Sequence, residues 1–89
     1  MMTEEIRKDS ELKWLQCSVE SELIRARKAH PKRLNSPHEA YAIIKEELEE
    51  FWDIVKLKSN DPSYDKTFMR DELIQIAAMA IRTILDLKL

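Results

Sequence analysis

The chain has 89 residues, three prolines, one cysteine and no glycine, with 36% charged residues and a formal net charge of -2. Without glycine it cannot build a Walker-type phosphate loop, a dinucleotide-binding fingerprint or an Asn-Gly hairpin, because each needs a backbone position that only glycine fills cheaply. The acidic balance argues against a nucleic-acid partner, and a lone Cys17 excludes an internal disulfide or a zinc site built on several thiolates, as expected of a cytoplasmic protein.

Proline occurs only at positions 31, 37 and 62, which cuts the chain into three helix-length pieces. The first is expected from Thr3 to Ala29, with Leu12, Leu15, Val19, Leu23 and Ala26 at the spacing of one buried helical stripe. After a connection over Pro31 to Ser36, the string Ser36-Pro37-His38-Glu39 reads as a capping box, with Ser at the N-cap, Pro at the first helical position and Glu three residues after the cap.

The second helix is expected from about Pro37 to Lys58, where Ser59-Asn60-Asp61-Pro62 stops it. A short turn near Pro62 to Lys66 is the candidate for a fourth helical element. The third helix, capped by Asp65 or Thr67, carries Leu73, Ile76, Ala77, Ala80, Ile84 and Leu87 as its apolar positions. No segment alternates as a strand does, so the expected class is all-α, a single helical domain over residues 1–89. A chain this short buries only about 60–68% of its unfolded surface, which points to completion by oligomerisation. No stretch of about 18 apolar residues suggests a membrane span, and the charged amino terminus does not read as a leader.

Placed at about 100° per residue, the second helix has a broad apolar arc containing Ile43, Ile54, Ala40, Phe51, Ile44, Val55, Leu48, Tyr41 and Trp52, and Glu47 falls inside it, between Ile54 and Ala40. Glu50 sits at the edge of the arc and Glu46 just beyond. On the third helix Glu72 projects beside Met69 and Ile76, and Gln75, Met79, Arg82 and Asp86 follow on nearly the same line. A carboxylate on a core-facing stripe has to be neutralised, paired or bound to a cation. Glu47 with Glu50, and Glu72 with Gln75, are each spaced i to i+3, and two such pairs facing one another would form an oxygen cage suited to Mg²⁺ or Mn²⁺. The ordinary alternative is that Glu46-Glu47-Leu48-Glu49-Glu50 is a solvated helix face.

The EExxE element at Glu46 to Glu50, followed after a gap by Glu72-Leu73-Ile74-Gln75, resembles the all-α nucleoside triphosphate pyrophosphohydrolases of the MazG superfamily, whose signature is EExxE and then ExxD. The resemblance covers about Pro37 to Asp86. It implies a helical bundle completed as a homodimer or homotetramer, and Mg²⁺-dependent hydrolysis of a nucleoside triphosphate to the monophosphate and pyrophosphate. Carried over by position, Glu47, Glu50 and Glu72 would be metal ligands and Glu46 an additional catalytic acid near them. The chain departs from the family at Gln75, which stands where Asp is expected; a neutral amide predicts weaker metal binding or fewer ions.

Further candidates concern the substrate. Arg82 shares the line of Glu72 and Gln75; it either reaches a phosphate or pairs with Asp86 one turn on. Arg25 and Lys28 belong to a basic stretch that ends the first helix, and they read as a polyphosphate-attracting rim or as cations favoured by the helix dipole. Trp52, at the edge of the arc, is the preferred aromatic wall for a nucleobase, with plain packing as its alternative. A different class stays open: a helical oligomeric interaction module, or a nucleotide-binding protein without catalysis.

Overall fold

The computed structural model describes the backbone of residues 4–89 and the side chains from Lys8 onward, so the expected start at Thr3 lies outside the described residues. Three helices follow in order, α1 (Glu4–Ala29), α2 (Pro37–Val55) and α3 (Lys66–Leu87), with no strand among the described residues. No helix is long and apolar enough to cross a membrane.

The helix ends follow from local chemistry. Ser36 is the N-cap of α2, its side chain accepting from Glu39 N at 3.1 Å, and Pro37 opens the first turn. The reciprocal half of the capping box is shifted by one residue, since Glu39 Oε2 accepts from Asn35 N at 3.2 Å. α2 ends at Val55, earlier than the expected Lys58. Leu57 N reverts to an i to i+3 bond with Ile54 O, and two tight turns follow, Asp61 N to Lys58 O and Tyr64 N to Asp61 O, both at 2.9 Å. These turns replace the fourth helical element considered near Pro62, and Asp61 Oδ1 holds the second of them by accepting from Ser63 N at 2.8 Å. Asp65 caps α3 by accepting from Thr67 N at 2.7 Å. α3 closes on Lys88 in the left-handed region (φ 56, ψ 44), a conformation usually given to glycine, which this chain lacks.

α1 and α2 each pack along α3 and not on one another. Ala26 lies beside Arg82 and Trp14 near Arg70, so α1 runs parallel to α3. Leu34 and Ala40 meet Met79, and Glu47 meets Glu72, so α2 runs antiparallel to it. The packed centre is small: Leu34, Ala40 and Met79, flanked by Ile43, Ile44 and Leu87. Three expectations about the core are corrected. On α2 the apolar arc is wider than its cover, with Tyr41, Leu48 and Trp52 65%, 52% and 57% exposed. The α1 stripe is covered only in its second half, where Ala26 is buried, while Leu12 and Leu15 are 54% and 40% exposed. On α3, Leu73 and Ile84 face solvent, and the residues buried instead are Ala78, Met79, Arg82 and Asp86.

Burying Arg82 and Asp86 is tolerable because every charged atom has a partner. Asp86 accepts from Arg27 Nη2 at 3.0 Å, Arg82 Nε at 3.2 Å and Leu34 N at 3.1 Å. Arg82 also donates to the carbonyl oxygens of Ala26, His30 and Lys32. One ion pair thereby ties the end of α1 and the connection into α2 to the last turns of α3. Although burial pushes the Asp86 carboxyl up, the Leu34 amide and the two guanidinium groups hold it below its ordinary value. A depressed carboxyl adds stability above its unfolded pKa that is lost as pH falls through the folded one. Asp86→Asn should therefore destabilise the fold by about 3 kcal/mol near neutrality, and the gap to wild type should narrow in urea melts repeated at increasingly acidic pH.

Candidate functional site

The two helix-borne acidic pairs do converge. One carboxylate oxygen each from Glu47, Glu50 and Glu72 lies within 4.8 Å of the others. Glu47 and Glu50 project from adjacent turns of one face of α2, and the antiparallel packing of α3 brings Glu72 opposite them. Glu47 and Glu72 are half-buried and Glu50 exposed, so the cluster opens to solvent on one side. At the closed side Glu47 Oε2 and Glu72 Oε2 are enclosed and have no hydrogen-bond partner.

Electrostatics make this arrangement costly for the protein alone. Burial raises the carboxyls of Glu47, Glu50 and Glu72 above their ordinary value of 4.5, and their mutual charges add to this. Glu46 repels both Glu47 and Glu50, while Asp71 repels Glu72. Among the described residues, no ion pair joins a basic group to Glu47, Glu50 or Glu72. Arg25 on α1 feels the charge of Glu47, its guanidinium being raised chiefly by hydrogen bonding to Glu22 and then by the charges of Glu22 and Glu47. Such a group is relieved by a shared proton or by a cation.

The donor set fits a hard divalent cation. With cation–oxygen bonds of about 2.1 Å, neighbouring ligand oxygens lie about 3 Å apart and opposite ones about 4.2 Å. The observed spread of up to 4.8 Å is slightly wider than this. Three carboxylates leave several coordination positions for water and phosphate oxygens, which is how Mg²⁺ is usually held beside a nucleotide.

Against the cluster lies a cavity of about 460 Å³ between the end of α1, the connection, α2 and α3. Its floor is apolar, from Ala26, Leu34, Ile43, Ala78 and Met79, and its rim is charged, with Glu46 and Glu47 at one end and Arg25 and Lys32 among the others. Gln75 lines this cavity and also a second, open groove of about 700 Å³ between α1 and α3.

The sequence-derived candidates divide clearly. Glu47, Glu50 and Glu72 form the cluster; Glu46, Gln75 and Arg25 stand around it. Arg82 borders the cavity, yet of its two readings the structure takes the ion pair: its guanidinium is buried and held by Asp86 and three carbonyl oxygens, so it is not free for a phosphate. Trp52 is 57% exposed and Lys28 is exposed, and neither lines this cavity or the groove. Glu22 was missed. It lines both cavities and holds Arg25 at the mouth, Arg25 Nε to Glu22 Oε2 being 2.9 Å. Its i to i+3 spacing from Arg25 was visible, but nothing in the chain marked that turn of α1 as the one facing Glu47.

Compared with protein-family models, curated proteins and solved structures, the chain matches none.

A raised carboxyl means that the folded state holds protons more tightly than the unfolded one, so stability falls as pH rises from about 4.5 through the raised values. Glu47→Gln should remove part of this penalty. In chelator-treated protein near neutral pH its melting temperature should exceed that of wild type by about 3 °C, the modest size reflecting solvent on the open side, and the difference should vanish at pH 4.

Proposed function

We propose that this chain is a Mg²⁺- or Mn²⁺-dependent nucleotide pyrophosphohydrolase of MazG-like type, acting in the cytoplasm and converting a nucleoside triphosphate and water to the monophosphate and pyrophosphate. The observation that carries the reading is the Glu47, Glu50 and Glu72 cluster with two enclosed oxygens and, among the described residues, no basic partner. The EExxE spacing of Glu46 to Glu50 and the acidic turn of α3 at Glu72 support it independently.

A bound divalent cation would neutralise phosphate charge and lower the pKa of a coordinated water. The chain's own residues do the rest. Glu47, Glu50 and Glu72 would hold the cation. Glu46, exposed at the same end of the cavity, is placed to take up the proton that the attacking water gives up as it adds to the α-phosphorus and pyrophosphate departs. Arg25, which lines the same cavity as Glu46 and Glu47, would reach the phosphates once they displace Glu22 from it. The apolar floor at Leu34, Ile43 and Met79 takes the nucleoside and replaces Trp52 in that role.

Gln75 favours a second reading, a protein that binds metal and nucleotide without turning it over, because the fourth position of the two i to i+3 pairs contributes no charge. Two measurements separate these. A nucleotide with Mg²⁺ should raise the melting temperature of wild type by linkage and not that of Glu72→Gln. Pyrophosphate release across a panel of canonical and modified triphosphates should be detectable in wild type and rise at least about tenfold in Gln75→Asp, equivalent to about 1.4 kcal/mol of barrier. A shift without release in either protein selects the binding reading; no shift and no release rejects both.

A further inference from the structure

We infer that Gln75 is a specificity-determining residue, its side-chain amide hydrogen-bonding a hydroxyl of the nucleotide sugar and not serving the cation. The inference rests on the nucleotide reading given above and assigns a contact within that site.

The turn of α3 places the amide for this. Glu72 belongs to the acidic cluster and does not line the cavity, whereas Gln75 lines the cavity. Three residues along a helix leave a side chain about 60° short of a full turn and advance it about 4.5 Å. The step from Glu72 to Gln75 therefore leads from the cluster to the cavity wall. Glu47 belongs to both, which makes cluster and cavity continuous.

Nothing around Gln75 gives its amide another task. The residue is half-buried, and no hydrogen bond joins it to another described residue. The other polar side chains near it are engaged, since Glu22 and Arg25 hold one another and Glu47 lies in the cluster. Beyond Gln75 on α3 come Ala78 and Met79, which with Ala26 and Ile43 present no charge and no hydrogen-bonding nitrogen or oxygen on their side chains.

A nucleotide is built in the same order as this wall. Its phosphates are followed by the sugar and then by the base. From the cluster outward, the cavity offers a carboxylate at Glu47, an amide at Gln75 and an apolar floor at Met79, about 6 Å further along α3. With the phosphates at the cluster and the base on the floor, the amide stands at the sugar. A primary amide presents two donors and an acceptor, and a hydroxyl both donates and accepts, so the pair is satisfied in either sense. An aspartate at this position adds charge for the cation but gives up the donors. The apolar floor alone discriminates poorly between sugars, whereas a group that hydrogen-bonds a hydroxyl disfavours the analogue lacking it.

Calorimetric titration of the full chain with Mg²⁺ and α,β-methylene triphosphates, which resist cleavage at the bond in question, tests this apart from turnover. The base is the one that raises the wild-type melting temperature most. In wild type the ribose compound should bind about tenfold more tightly than its 2′,3′-dideoxy counterpart, as expected for one hydrogen bond. In Gln75→Leu the two should bind alike, at the strength of the dideoxy compound in wild type, and the affinity for Mn²⁺ alone should be unchanged. If Gln75→Leu fails to fold, Gln75→Ala carries the same comparison. Equal binding of the two sugars by wild type, a preference that persists without the amide, or a loss of Mn²⁺ affinity in the variant overturns the inference and leaves the nucleotide reading standing. Absence of binding by either compound removes both.

Discussion

α3 turns its most polar line inward. Glu72, Gln75, Arg82 and Asp86 lie toward α1 and α2, while Leu73 and Ile84 on the same helix face solvent. Burying apolar area is the larger favourable term in folding, so such an orientation persists only if the buried charges are compensated and the exposed carbons are covered in some other way. At one end of α3 the compensation is complete, with Asp86 between Arg27 and Arg82 and the guanidinium of Arg82 capped by backbone carbonyls. At the other end it is missing, because Glu72 meets Glu47 and Glu50 and no basic group among the described residues pairs with them.

That asymmetry gives the two ends of the helix different work. The Asp86 end fixes the connection between α1 and α2, and with it the wall of the cavity formed by His30, Lys32 and Leu34. The Glu72 end is held in place by that framework against its own repulsion. Under the proposed function, the energetic penalty of this acidic cluster is the ordinary trade between stability and function at a binding site. The lack of glycine belongs to the same design. With no glycine-rich loop to receive phosphate, the acidic cluster among the described residues is carried on helix faces.

How much of this was legible beforehand depended on the range of the interaction. The Ser36 cap, the Asp65 cap and the three helices rest on contacts within a few residues, and periodicity alone placed Glu47 on the inner arc of α2. The convergence of Glu47, Glu50 and Glu72 was readable because antiparallel neighbours bring the middle of one helix to the middle of the other. Arg82 was ambiguous because the carbonyls of His30 and Lys32 that capture it are about fifty positions away in a connection without a pattern. Leu34 is buried from that same connection, and no stripe announces it. The inward and outward lines of α3 were exchanged for a related reason: apolar spacing identifies a face that seeks cover, and within one chain it does not say whether the cover is another segment or another molecule.

The central claim is that the carboxylates of Glu47, Glu50 and Glu72 form a preorganised cation site. Titration of chelator-treated protein with Mn²⁺, read by the loss of the free-ion electron paramagnetic resonance signal, tests it without reference to turnover. Saturable binding of one ion per chain, abolished in Glu47→Gln and Glu72→Gln and unchanged in Glu49→Gln, is the predicted result. Absence of saturable binding in wild type, or binding that survives the loss of both Glu47 and Glu72, would contradict it.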